Sequence, residues 1–166
     1  MDSKKESPRI VQPRQGTTVS VMGGNYRILI TGEQTGGAFA TIEMLVPPGG
    51  GPGPHAHADF QETFYILEGQ VEVKSEHGTQ IVDKGAYVVI PKGGIVHQFK
   101  NKSDQMARLL CTVVPSGLEE MFVAMGEPVA DGQFLAVPVM DQKMQQQMKS
   151  LAEKFGQTLY PPDYLA

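Results

Sequence analysis

GGGPGPHAHADFQETFYILEG, residues 49–69, is the stretch on which the reading of this chain turns. The chain has four histidines, and two of them, His55 and His57, stand here one residue apart. A Gly-Pro loop precedes them and a carboxylate, Glu62, follows. In an extended strand, side chains two apart point to the same face, so this pair would present two imidazoles side by side. Glu62 comes five residues after His57, an odd spacing that fails on one unbroken strand. It works if the chain bends between Ala58 and Gln61. On the following strand Glu62 then shares a face with Phe64 and Ile66, which are core-type residues. A carboxylate on such a face is costly unless it is paired. A divalent metal held by imidazoles is a suitable partner.

A third histidine, His97, follows the turn IPKGG (90–94) and shares its strand face with Phe99. Three imidazoles and a carboxylate form a mixed nitrogen and oxygen set. It suits iron, manganese, nickel, cobalt, copper or zinc, and not calcium or magnesium, which favour all-oxygen shells. A His-x-His pair alone arises easily by chance; joined to a carboxylate and a third histidine it is far more specific. The fourth histidine, His77, sits in the hydrophilic turn SEHGTQ (75–80) and is read as surface. Asp59 and Gln61 compete with Glu62. Asp59 would share the histidine face only on a strand running straight through it.

Outward from this stretch, the chain reads as many short strands. Residues 17–22, 26–32, 38–46, 63–74, 79–85, 86–90, 96–101 and 106–114 are rich in β-branched and aromatic types. Gly-, Pro- and Asn-rich turns punctuate them. No helical pattern falls between the strands, which argues against a parallel α/β sheet and for an all-β barrel or sandwich. Two segments near the end look helical. In 116–127, Ser116 is a candidate N-cap with Glu119 at capping-box spacing, and Leu118, Met121, Phe122 and Met125 form an apolar face. In 140–156, Met140, Met144, Met148, Leu151 and Phe155 line one face, and Gly156 is a natural stop. A methionine stripe of this kind is read as packing, not as a ligand box. The Pro-rich end, TLYPPDYLA (158–166), either docks or is disordered.

A length of 166 residues fits one domain. The expected division is an N-terminal tail (1–16), a barrel (17–115) and a C-terminal helical extension packing on it (116–166). Net charge is −4, from 14 basic and 18 acidic residues, with no basic stripe, so a nucleic-acid partner is not expected. Cys111 is the one cysteine, which excludes an intramolecular disulfide. In the apolar run ARLLCTVV (107–114) it reads as a small core residue and not as a nucleophile. With no disulfide framework, no signal peptide and no apolar run near the roughly 20 residues that span a bilayer, a soluble cytoplasmic protein without a membrane partner is expected.

The spacings resemble the two motifs of the cupin superfamily. The first runs Gly, five residues, His-x-His, three or four residues, Glu, six residues, Gly; Gly49, His55, His57, Glu62 and Gly69 match it throughout. The second runs Gly, five residues, Pro-x-Gly, two residues, His, three residues, Asn. Gly85, Pro91, Gly93, His97 and Asn101 match it with one departure, since three residues separate Gly93 from His97. The resemblance selects Glu62 over Asp59 and Gln61. It implies a double-stranded β-helix, a jelly-roll barrel, holding one divalent transition metal per chain on His55, His57, Glu62 and His97. It also implies homodimers formed through outer strands. Gly69 and Gly85 become tight-turn positions intolerant of a Cβ, and Pro91 ends a strand where no amide donor is needed.

The layout, with PPGGGPGPHAH before the site and GLEEMF after the barrel, looks most like the bacterial quercetinase-like cupins. That implies a dioxygenase acting on an aromatic, flavonol-like small molecule with O2. Glu62 would then be both ligand and general base, its pKa lifted by an apolar pocket. Two other classes compete: a different metal-dependent cupin enzyme, such as a decarboxylase or isomerase, and a non-catalytic metal- or ligand-binding cupin. An acidic substrate would call for an arginine in the pocket. Arg9 and Arg14 lie in the tail, and the strand pattern leaves the faces of Arg27 and Arg108 open. A helix or tail plugging the barrel mouth would favour the non-catalytic reading.

Overall fold

Alternation of inward apolar and outward polar residues builds the barrel. In the computed structural model, which describes residues 5–166, β3 (Ala40–Val46) and β10 (Ala107–Val114) bury every second residue over almost their whole length. Residues 1–4 of the expected tail lie outside the described residues, and residues 5–16 carry no strand or helix. The remaining strands are β1 (Thr17–Val21), β2 (Gly24–Ile30), β4 (His55–His57), β5 (Gln61–Glu68), β6 (Gln70–Ser75), β7 (Gly78–Asp83), β8 (Tyr87–Ile90), β9 (His97–Lys100), β11 (Glu127–Pro128) and β12 (Gln157–Leu159). The helices are α1 (Leu118–Met125) and α2 (Gln142–Lys154).

The strands form two antiparallel sheets, in the orders β11-β1-β2-β3-β10-β5-β8 and β12-β4-β9-β6-β7. Register aligns the inward residues. Ile42 and Phe64 both face Cys111, and Met44 and Ile66 both face Leu109. All six are buried and form the centre of the core between the sheets. This is the expected all-β jelly-roll barrel with two short C-terminal helices.

The segment 63–74, read as one strand, is two. It breaks at Gly69, so that β5 belongs to one sheet and β6 to the other. Gly69 has φ +72°, and a Cβ there would lie 2.6 Å from the Met106 carbonyl oxygen, so both backbone and space demand glycine. Gly85 differs from the expectation: its φ of +94° favours glycine, but nothing stands within 4 Å of an added Cβ. Pro91 follows directly on β8 and ends it, as expected.

Ser116 is not the N-cap of α1. Gly117 holds that position, and the buried Glu119 carboxylate accepts from Gly117 N at 2.8 Å and from Gly32 N at 2.7 Å. A full charge bonded to two amides satisfies the helix start better than a neutral hydroxyl would. Helix α2 is capped by Asp141, whose Oδ1 accepts from Met144 N at 2.8 Å. On its apolar face Met144, Met148, Leu151 and Phe155 are partly buried and Ala152 fully so, but Met140 precedes the helix and is exposed. The C-terminal segment docks. Through β12 it pairs with β4, Gln157 opposite His57 and Leu159 opposite His55, and Tyr160 N donates to Pro54 O at 3.0 Å. Among the described residues no helix is long and apolar enough to cross a membrane.

Candidate metal centre

Three short strands carry the four residues to one point. His55 and His57 sit on β4 and both turn inward, with only Ala56 between them. The chain bends through residues 58–60, and β5 then presents Glu62 on the same inward face as Phe64 and Ile66. His97 opens β9 directly opposite His55. All four side chains are buried, and their ligand atoms lie within 4.8 Å of one another. Glu62 Oε2 stands 3.2 Å from His57 Nε2 and 3.7 Å from His97 Nε2. Asp59 and His77 are exposed and Gln61 is only half-buried. The structure thus groups the residues that the family resemblance selected and leaves out their competitors.

Hydrogen bonds on the far side of each ring set its chemistry. His55 Nδ1 lies 2.9 Å from Gly53 O, His57 Nδ1 2.9 Å from Phe60 O, and His97 Nδ1 3.0 Å from Ile95 O. A carbonyl oxygen only accepts, so each Nδ1 carries the hydrogen and donates it. In the neutral imidazole Nε2 is then the lone-pair nitrogen, and all three Nε2 atoms face Glu62 or one another. A carboxylate oxygen 3.2 Å from such a nitrogen is one acceptor facing another. That contact needs a proton on the ring or a metal cation between the two. His97 Nε2 is buried with no hydrogen-bond partner, which is costly for a polar atom without a ligand. On these observations the donor set fits a transition metal, and His55, His57, Glu62 and His97 could hold one.

Electrostatics corrects one expectation. Burial pushes the Glu62 carboxyl up, as anticipated, but the close approach of the His57 and His97 rings and the proximity of His55 outweigh it. The net shift is downward, well below the ordinary value of 4.5, so the metal-free site holds a carboxylate. Burial, followed by repulsion from His97, lowers His55 from 6.5 to about 4, leaving a neutral ring with a free lone pair near neutral pH.

Cys111 is the contact that the sequence did not reveal. Its Sγ donates to Glu62 Oε1 at 3.4 Å, across 49 residues of chain. Burial, then the Glu62 charge, pushes the thiol well up, so it remains an S–H donor. Alternation on β10 puts Cys111 inside, as read; which side chain it meets there depends on the register against β5. Asn101 is also buried, but as a fastener: its Nδ2 donates to Val46 O at 2.9 Å and Gln105 O at 2.7 Å, and its Oδ1 accepts from Ser103.

A cavity of about 300 Å³ leads to His55 and Glu62. Tyr26, Met44, Phe99, Met121 and Phe122 line it, and Met148, Ala152 and Tyr160 bring α2 and the C-terminal segment to its wall. The helices therefore wall the cavity and do not fill it. Both arginines left open by the strand pattern face outward. Arg27 Nη2 pairs with Glu43 Oε1 at 3.2 Å and Arg108 Nη1 with Glu43 Oε2 at 3.7 Å, and neither lines the cavity. Lys100 does line it, with its Nζ donating to Gly51 O at 2.5 Å.

Residues 42–113 match the family described as "Cupin domain". The chain is similar to the quercetin 2,3-dioxygenase of Bacillus subtilis (strain 168), 25% identical over 121 residues, covering 73% of this chain and 35% of that protein. It thus spans about a third of the length of that relative. It is also similar to the polyketide synthase CurC of Streptomyces cyaneus, 27% identical over 112 residues, covering 67% of this chain and 72% of that protein. Its fold is shared with the crystal structure of a predicted oxalate decarboxylase from Thermotoga maritima: TM-score 0.57, 21% identity, 64% of this chain and 99% of that one. The family match covers residues 42–113, a little under half of the chain.

Proposed function

We propose that this cupin is a metal-dependent dioxygenase that acts on an aromatic, flavonol-like small molecule with O2, holding one divalent transition metal on His55, His57, Glu62 and His97. The observation that carries the reading is the gathering of three imidazole Nε2 atoms and one carboxylate oxygen at the inner end of an apolar cavity. Aromatic and methionine walls favour a flat ring system, through edge contacts and sulfur–aromatic contacts. Neither Arg27 nor Arg108 reaches the cavity, which weighs against small dicarboxylates. The similarity to a quercetin 2,3-dioxygenase supports the same choice.

When bound, the metal would supply Lewis-acid activation of a substrate hydroxyl and a redox partner for O2. The residues of the chain supply the rest. The cavity walls orient the ring system and exclude water. Glu62, already a carboxylate, accepts the proton of the substrate hydroxyl; its low proton affinity makes it a ligand first and a base second. The reading includes a cytoplasmic homodimer. Tyr87 and Val89 on the edge strand β8, beside Tyr65 on β5, expose an apolar patch on the outer face of the sheet.

The test is oxygen uptake with a flavonol panel after loading with iron, manganese, nickel or cobalt, for the wild type and for Glu62→Gln. Flavonol-dependent uptake in the wild type, with Glu62→Gln losing the uptake and holding the metal more weakly, is the expected result. A metal-loaded wild type that consumes no oxygen with any flavonol overturns the dioxygenase and leaves decarboxylation, isomerisation or ligand binding to be assayed.

A further inference from the structure

The two oxygens of Glu62 have different neighbours. Oε2 faces His57 at 3.2 Å and His97 at 3.7 Å, whereas Oε1 accepts from Cys111 Sγ at 3.4 Å. Among the described residues no other hydrogen bond reaches Oε1. Once the Glu62 stem is packed beside Phe64 and Ile66, rotation about its last side-chain bond is the main freedom left. Turned one way, a single oxygen points at the imidazoles; turned a quarter further, both do. A donor fixed on Oε1 selects the first orientation. A thiol is a weak donor in water, but a carboxylate acceptor in a site closed to solvent strengthens the bond. Both Cys111 and Glu62 are buried, and β10 is hydrogen-bonded to β5 along its length, so the thiol has little room to turn away.

We propose that Cys111 is a positioning residue of the metal centre: its S–H, donated to Glu62 Oε1, fixes the carboxylate so that Oε2 alone faces the imidazoles and Glu62 serves as a one-oxygen ligand. The functional consequence rests on the metal-centre reading given above; the hydrogen bond itself does not.

Two measurements on the full chain test it. Cys111 is the one cysteine of the chain, so its S–H stretching band in the infrared reports on a single group. The band lies at lower frequency in the metal-free wild type than in Glu62→Leu, which removes the acceptor. Cobalt(II) titration against a competing chelator then compares wild type, Cys111→Val and Cys111→Ser. Valine removes the donor while keeping an apolar side chain, larger by about a methyl group, and costs about tenfold in cobalt affinity, the lower end for a partner that orients a ligand. Serine keeps a donor and recovers most of that loss. A purely packing role would lower the thermal stability of Cys111→Val and leave both the band and the affinity in place. Identical bands in wild type and Glu62→Leu, or unchanged cobalt affinity in Cys111→Val, overturn the proposal. A wild type that takes up no cobalt overturns the ligand role together with the metal reading, while the band still decides the Cys111–Glu62 bond, so the two failures are told apart.

Discussion

One hydrogen on each of three rings governs this site. His55, His57 and His97 each spend Nδ1–H on a backbone carbonyl, and that is what turns Nε2 inward as a lone-pair donor. The same burial makes the metal-free protein acid-sensitive. The unfolded chain protonates its histidines near 6.5, whereas native His55 resists until about 4, so the unfolded state binds the extra proton across that window. Stability of the metal-free protein therefore declines as pH falls from about 6.5 towards about 4, by at most about 3 kcal/mol from His55. Glu62 adds in the same direction below its ordinary 4.5, because its folded value is depressed. Urea midpoints measured across this range check the sign; a midpoint that rises on acidification would contradict it. At this scale most of the site was legible. The odd spacing from His57 to Glu62 required a bend, and residues 58–60 supply it. Cys111 was legible only as a core residue, because its bond to Glu62 depends on how β10 and β5 align across 49 residues of chain.

Strand β4 is only three residues long, yet it carries two of the candidate ligands. It is held between β9 and β12, and β12 comes from the far end of the chain. Removing residues 157–166 strips one edge from β4 and frees Pro54 O, which Tyr160 N otherwise satisfies. The truncated chain is expected to lose protection from hydrogen exchange at the β4 amides and to bind cobalt about tenfold or more weakly. Unchanged exchange at Ala56 would show that β12 is dispensable to the site. This pairing had no signal in the sequence, since TLYPPDYLA contains two prolines and no alternating run. The division of 63–74 into β5 and β6 did have one, the Glu-Gly pair at 68–69. Its weight became visible only with the close approach of the Met106 carbonyl to Gly69. Ser116 shows the reverse case, a correct capping-box spacing in which the carboxylate of Glu119 takes over the capping.

Over the whole molecule, the alternation of short strands and Gly-rich turns was enough to give the all-β class, and the two motif spacings the barrel. The order of strands within each sheet came from pairings that no local pattern encodes. Two predictions belong here. Ala152 on α2 is buried in the cavity wall, so Ala152→Phe is expected to fill space meant for a ligand. Metal uptake should survive while flavonol-dependent oxygen uptake falls at least tenfold, about 1.4 kcal/mol; full activity in this variant would place the substrate elsewhere. Tyr87 is 63% exposed on the edge strand β8. If the β5–β8 face joins two copies, sedimentation finds a dimer in the wild type and a monomer in Tyr87→Lys, and a monomeric wild type removes the dimer from the account. The claim on which the rest depends is the metal itself. Elemental analysis of the untagged protein, reconstituted with cobalt(II) and desalted, tests it most directly, with His97→Ala alongside. About one cobalt per chain in the wild type and little in His97→Ala is the predicted result; equal retention in both, or none in the wild type, would contradict a centre built on these four residues.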